Sequence, residues 1–170
     1  IAEDAPKRAI ELLDDLKINT DERAHYNLAF LYQSYATYYL QEGNYQKAID
    51  AYTKALSYKL FPPKMQIAIQ YTIAKLNISL ANYKASAHWF EIWLKEVKTP
   101  TKEGYYLLSV SYLQEEHYLK AIPYLKKAIS LSKEPNKAWY NMLLASYYAL
   151  ENSQEIEKLL EHLIALFPDD

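Results

Sequence analysis

Two stretches of this chain are near copies of each other. "EGNYQKAIDAYTKALS" spans Glu42 to Ser57 and "EEHYLKAIPYLKKAIS" spans Glu115 to Ser130. Laid side by side without a gap, they agree at eight of sixteen places, 73 residues apart. Self-similarity of this kind constrains a fold more than any single motif. A short helical phrase that recurs must stack on copies of itself, because one unit cannot bury its apolar face alone.

Helix borders are legible along the whole sequence. Asp4-Ala5-Pro6 starts a first helix, and Thr20, Asp21 and Glu22 start a second that ends at Gly43. Asn44 caps the next helix; Pro62-Pro63, Asn82, Thr99-Pro100, Glu134-Pro135 and Asn152 stand where later helices begin. Asn152 with Glu155 has the spacing of a capping box. Six of the seven prolines fall at such borders. The seventh, Pro123, lies inside a helix and predicts a slight kink. This punctuation predicts an all-α chain of about nine helices with short links, so that neighbours run antiparallel.

Anchoring the repeat on Ala48 places Ser86, Ala121 and Ile156 at the equivalent position. Upstream stand Ala36, Ala74, Ser109 and Leu144, then Tyr39, Asn77, Tyr112 and Tyr147. Tyr45, Tyr83, Tyr118 and Ser153 precede the anchor, and Ala55, Trp93, Ala128 and Leu163 follow it. Units end at Pro62, Pro100, Pro135 and Pro168. This pattern resembles the tetratricopeptide repeat, a helix-turn-helix unit of about 34 residues. Small residues let helices cross closely, and tyrosines fill the wider gaps. The resemblance implies a right-handed α-solenoid over 1–170: a leading helix and linker at 1–28, then repeats at 29–66, 67–101, 102–136 and 137–170. Ala9, Leu13 and Leu16 read as part of a degenerate earlier unit.

Departures from the repeat carry their own expectations. Ser86 and Trp93 replace small residues and should distort the second unit. Leu144, Ile156 and Leu163 should push the last helix outward. Three extra residues around "YKLFPPKM" lengthen the first junction. The opening "IAEDAPKRA", without initiator Met or signal-like stretch, reads as a segment of a longer protein.

Composition excludes several functions. Two glycines leave little material for phosphate-cradling loops, and the absence of cysteine removes disulfides and thiolate metal sites. A formal charge of -2 gives no field to draw nucleic acid, despite aromatic runs such as "YQSYATYY". No apolar run approaches the ~20 residues of a membrane span, so no direct membrane insertion is expected. His25, His88, His117 and His162 are scattered without HExxH, and the carboxylates of "ELLDDL" and "LQEEHY" read as a solvated face. No cofactor and no catalytic set emerge.

Tyrosine is the anomaly, with 18 against four Phe and three Trp. In tetratricopeptide arrays the first helix of each pair lines the inner wall. Carried onto this register, the resemblance assigns a partner-binding groove to Gln33, Thr37, Gln41, Tyr71, Lys75, Ser79, Tyr106, Val110, Gln114, Asn141 and Tyr148. The Lys, Asn and Arg clamp of chaperone-tail binders is missing. The set suits an extended or helical partner segment held by aromatic stacking and amide hydrogen bonds. Equally, Tyr71, Tyr106 and Tyr148 could simply fill space between units.

A narrower resemblance covers Tyr71 to Asp170. Trp93, "AIPYLKKAI", "AWYNMLLASYYAL" and "LIALFPD" resemble tetratricopeptide proteins encoded beside TonB–ExbB–ExbD systems of Gram-negative bacteria. It implies a periplasmic accessory of that energy-transducing complex, with a cytoplasmic location as the alternative. The sequence therefore points to a non-catalytic protein-binding scaffold. The rivals are a self-assembling homo-oligomer and the regulatory arm of a larger enzyme.

Overall fold

A computed structural model describes residue 8, residues 22–134 and residues 136–168. Among these residues there are eight helices and no strand: α1 (Glu22–Gln41), α2 (Tyr45–Ser57), α3 (Pro63–Ser79), α4 (Tyr83–Glu96), α5 (Lys102–Gln114), α6 (Tyr118–Ser130), α7 (Lys137–Ala149) and α8 (Ser153–Leu166). The leading helix expected around Ala9, Leu13 and Leu16 lies outside the described residues, as do Thr20, Asp21 and Pro135. The chain forms two compact units, one ending at Asn82 and the other beginning at Tyr83. In the first, α1 packs on α2 and α2 on α3. In the second, each of α4 to α8 packs on its neighbour in sequence.

Helix starts follow the residues that can cap them. Asn44 accepts from the Lys47 amide at 3.3 Å, Asn136 from Trp139 at 3.3 Å and Asn152 from Glu155 at 3.2 Å. Pro63 opens α3, where its missing N–H costs nothing. The border expected at Thr99-Pro100 falls slightly later: Thr101 is the cap, taking the Gly104 amide at 3.1 Å. The capping box at Asn152 is only half made. The Asn side chain caps, but the Glu155 carboxylate turns to the Tyr147 hydroxyl at 3.0 Å and Lys126 at 3.3 Å. Pro123 stays inside α6, which runs unbroken around it.

Four turns share one backbone solution. Gly43, Ala81, Glu116 and Glu151 occupy the same register position, and all have positive φ, from 51° to 72°. In each turn the next amide reaches back to a carbonyl in the last helical turn: Asn44 to Tyr39 at 2.9 Å, Asn82 to Asn77 at 2.8 Å, His117 to Tyr112 at 2.9 Å and Asn152 to Tyr147 at 3.0 Å. This satisfies carbonyls that a helix end leaves open. Only Gly43 adopts the left-handed region without steric cost; the other three carry a side chain there.

Small residues lie where helices cross: Ala36, Ala48, Ala55, Ala74, Ala121 and Ala128 are fully buried. The lengthened junction after α2 does not merely loop out. Phe61 tucks in with its ring centroid 5.0 Å from that of Phe30, edge to face. In the second unit Leu125, Leu143, Tyr147 and Leu159 form the centre of a cluster flanked by Leu144, Ile156 and Leu163.

The departures at Ser86 and Trp93 are absorbed rather than tolerated. Ser86 Oγ lies 2.9 Å from Ser111 Oγ, both fully buried, and Ser111 donates to the Leu107 carbonyl at 2.9 Å. With Ser111's proton committed there, Ser86 is the donor to Ser111. Both hydroxyl protons of this buried pair thus have an acceptor. Trp93 lies against Gly104: a Cβ built on that glycine would sit 2.3 Å from the indole, a contact no real side chain makes.

Candidate functional site

In the second unit the groove residues fall on one side of their helices. At about 100° per residue, Tyr106 and Val110 lie opposite the buried Leu108 on α5. On α7, Asn141 and Tyr148 lie opposite the buried Leu143. Their roles differ. Tyr106 is half-buried, stacked on Trp139 with centroids 4.9 Å apart and planes 19° from parallel, and packed against the core cluster. Val110 is half-buried, while Gln114 and Asn141 are exposed. Tyr148 is 56% exposed, unusual for so large a ring. Of the two readings of the tyrosines, Tyr106 follows the packing one and Tyr148 does not.

In the first unit the groove residues are more engaged with one another. The Gln33 amide donates to Thr37 Oγ1 at 3.1 Å, Thr37 donates to the Gln33 carbonyl at 3.0 Å, and the Tyr52 hydroxyl lies 3.2 Å from Thr37. Gln41 is exposed. On α3, Tyr71 is half-buried and Lys75 holds its ammonium 5.9 Å from the Tyr71 ring centre, within cation–π range. Ser79 is exposed, donating to the Lys75 carbonyl at 3.4 Å.

Sequence spacing missed a polar hollow of about 260 Å³ where α4, α5 and the start of α6 meet. Lys84, His88, Glu91, Tyr112, Glu115, His117 and Lys120 line it with Ala87. Two of the four scattered histidines thus line one hollow, together with the exposed Glu115 of "LQEEHY". The buried Tyr112 hydroxyl donates to the Glu91 carboxylate. Burial first, and then Glu91, raise the Tyr112 hydroxyl well above the usual tyrosine range. Tyr124 stacks on Tyr112 with planes 9° apart, and its hydroxyl is raised by burial first, then by the charge of Glu91 and by Tyr105. The residues come from three helices and carry no sequence motif; only the packing of α4 and α6 on α5 unites them. Among the described residues, no group of three His, Asp or Glu could hold a metal ion, and no helix is long and apolar enough to cross a membrane.

A second polar contact set ties α6, α7 and α8 together. Glu155 accepts from Tyr147, Lys126 and Lys158, which together hold its carboxyl below the ordinary range. Lys126 is raised in turn, first by Tyr147 and then by Glu155.

Comparison with known proteins returns the same repeat. The family model described as "Tetratricopeptide repeat" matches residues 30–60 and 103–135. No curated protein matches the sequence. Solved structures share the fold. PilF of Pseudomonas aeruginosa aligns over 84% of this chain at 13% identity and a TM-score of 0.57, and this chain spans 62% of the PilF chain. MamA from Desulfovibrio magneticus RS-1 aligns over 95% of this chain and 85% of its own, at 18% identity and a TM-score of 0.58. YrrB, described as a TPR protein with an unusual peptide-binding site, aligns over 98% and 94%, at 18% identity and 0.53. Two sequence segments and the shared helical fold support the tetratricopeptide repeat as the unit from which this chain is built.

Proposed function

We propose that this chain is a non-catalytic module that holds a peptide segment of a partner protein. On the second unit the holding surface is the side of α5 and α7 bearing Tyr106, Val110, Gln114, Asn141 and Tyr148. The observation that carries this reading is Tyr148, a large amphipathic ring left in solvent on the same helix side as exposed Asn141. Such a ring offers contact area at low entropic cost, and the amide can meet a partner's backbone. The Tyr106–Trp139 stack joins α5 to α7. On the first unit, taken by itself, the corresponding residues are Gln33, Thr37, Gln41, Tyr71, Lys75 and Ser79, with the Lys75 ammonium over the Tyr71 ring. The peptide-binding site attributed to YrrB supports the reading at the level of fold alone.

Placement in the periplasm as an accessory of a TonB-type complex is the finer part of the proposal. Its support is the sequence resemblance around Trp93, "AIPYLKKAI" and "AWYNMLLASYYAL".

Selection of a random peptide library on the 170-residue chain tests the reading. Asn141→Ala/Tyr148→Ala is the appropriate variant, because both side chains are exposed and the fold should survive. Selected peptides should lose about tenfold in affinity, as expected when an aromatic anchor is truncated. Unchanged affinity would place the partner elsewhere.

A further inference from the structure

The last described helix, α8, presents to solvent a side that its predecessors bury. In the second unit α4 packs on α5 and α6 on α7, and the contacts recur by register. Phe90 of α4 and Leu125 of α6 stand at one register position, and both are fully buried. Leu94 and Ile129, four residues on, are half-buried. At the same two positions α8 carries Leu160 and Ile164, yet Leu160 is 38% exposed and Ile164 71%. Half-buried Ile156 and Phe167 extend the stripe along the helix.

The covering helices of the same unit show what chemistry fits this side. "LEHLI" of α8 (160–164) stands in register with "FEIWL" of α4 (90–94). On α4, Glu91 accepts the Tyr112 hydroxyl of α5. Its equivalent Glu161 is exposed and has no ion-pair partner among the described residues. Trp93 of α4 lies against Gly104, whereas Ala128 of α6 leaves the bulk to Trp139. Leu163 at that position is intermediate in size and calls for an alanine-sized residue opposite. Glu157 holds the place of Ala87, which lines one hollow with Tyr112 and Glu115, so its counterpart lies in the turn after the tyrosine. Glu157 is likewise exposed and without an ion-pair partner among the described residues, and a cation suits that place. Two α8 helices face to face would set these carboxylates against their own kind, which argues against a second copy as occupant.

From this continuity with the α4–α5 contact we infer that the Leu160–Ile164 side of α8 is a docking surface for an amphipathic helix of a partner protein. That helix carries a small residue, a leucine and a tyrosine at four-residue spacing, as Gly104, Leu108 and Tyr112 do on α5, with Lys or Arg in the turn after the tyrosine. Its leucine covers Leu160, its small residue meets Leu163, its tyrosine hydroxyl donates to Glu161 and its cation meets Glu157.

A fluorescein-labelled peptide of the α5 segment 102–115, titrated with the whole chain and followed by anisotropy, tests this. The peptide carries Gly104→Ala and Glu115→Lys to suit Leu163 and Glu157, and a lactam bridge in place of Tyr106 and Val110 holds it helical. Binding should saturate, weaken about tenfold in Leu160→Ser/Ile164→Ser and stay unchanged in Tyr148→Ala. Glu161→Ala in the chain and Tyr112→Phe in the peptide should each cost severalfold. Together they should cost no more than either alone, because both break one hydrogen bond. Circular dichroism identifies any variant that misfolds; should the double serine variant do so, the Glu161 and tyrosine cycle decides the matter. Lack of saturation, indifference to Leu160→Ser/Ile164→Ser, additive losses in the cycle, or loss of binding in Tyr148→Ala would each overturn the inference. So would sedimentation showing that the chain alone forms dimers which Leu160→Ser/Ile164→Ser dissolves.

Discussion

Two junctions in the second unit solve one packing problem in opposite ways. Where α6 meets α7, fully buried Ala128 occupies the register position facing the next unit, and the bulk comes from Trp139. Where α4 meets α5, the bulk comes first: Trp93 is the large residue, and Gly104, at the register position of Trp139, gives way to it. The first unit has the small-then-large order as well, with Ala55 and Ile69 both buried. Each junction pairs one small residue with one larger one, and the order in which they come along the chain is what differs. The Ser86–Ser111 pair adds a polar match at the same α4–α5 contact. A repeat carrying Trp93 therefore needs a successor carrying Gly104, so neighbouring units are matched to each other and are not interchangeable.

The comparison can be broken most forcefully at Trp93. Trp93→Ala empties the α4–α5 contact, because Gly104 offers nothing to refill it, and should cost about 3–5 kcal/mol of stability in urea denaturation. Combining it with Gly104→Ile, which copies Ala55 and Ile69, should recover part of that loss. If the double variant were no more stable than Trp93→Ala, the matched-volume account would fail. Gly104→Ala alone brings a methyl into the indole and should cost about 1–3 kcal/mol, although alanine is the better helix former. A neutral or stabilising outcome would mean that the indole moves aside freely.

Backbone conformation sharpens a second contrast, between Gly43 and its three equivalents. Glu116→Gly relieves a positive φ and should stabilise the chain by about 1 kcal/mol, seen as a higher urea midpoint, whereas Gly43→Ala should destabilise it. The smallest effect concerns Glu155. Its carboxyl is held below the usual 4.5, so its share of stability is present at neutral pH and is lost as the pH falls through that lowered value. Glu155→Gln should accordingly be less stable than the parent at neutral pH and equal to it in acid. A difference persisting below the carboxylate range would assign the effect to something other than ionisation.

Much of this fold could be read from the sequence because its signals are local. Asn44, Pro63 and Asn152 mark helix starts through their own side chains, and Ala48 and Ala121 mark crossings through their size. What escaped reading depends on partners distant in sequence. Gly104 looks like a weak helix residue until Trp93 is set against it. Ala81, Glu116 and Glu151 carry no sign of a left-handed turn, because helix-end hydrogen bonds and not residue type impose it. The groove register named Tyr106 and Tyr148 alike, and it could not tell the exposed Tyr148 from Tyr106, which has the same side chain but is engaged by Trp139. His88 and His117 offered no spacing to read; only helix packing brings them to one hollow.

Photo-crosslinking tests the binding account most directly. A photoreactive residue is placed in turn at Asn141, at Tyr148 and, as a control on another helix, at the exposed Glu157 of α8. Peptides selected on the whole chain should form adducts from Asn141 and Tyr148 and none from Glu157. Adducts from Glu157 alone, or from all three equally, would contradict a partner held on the α5–α7 side.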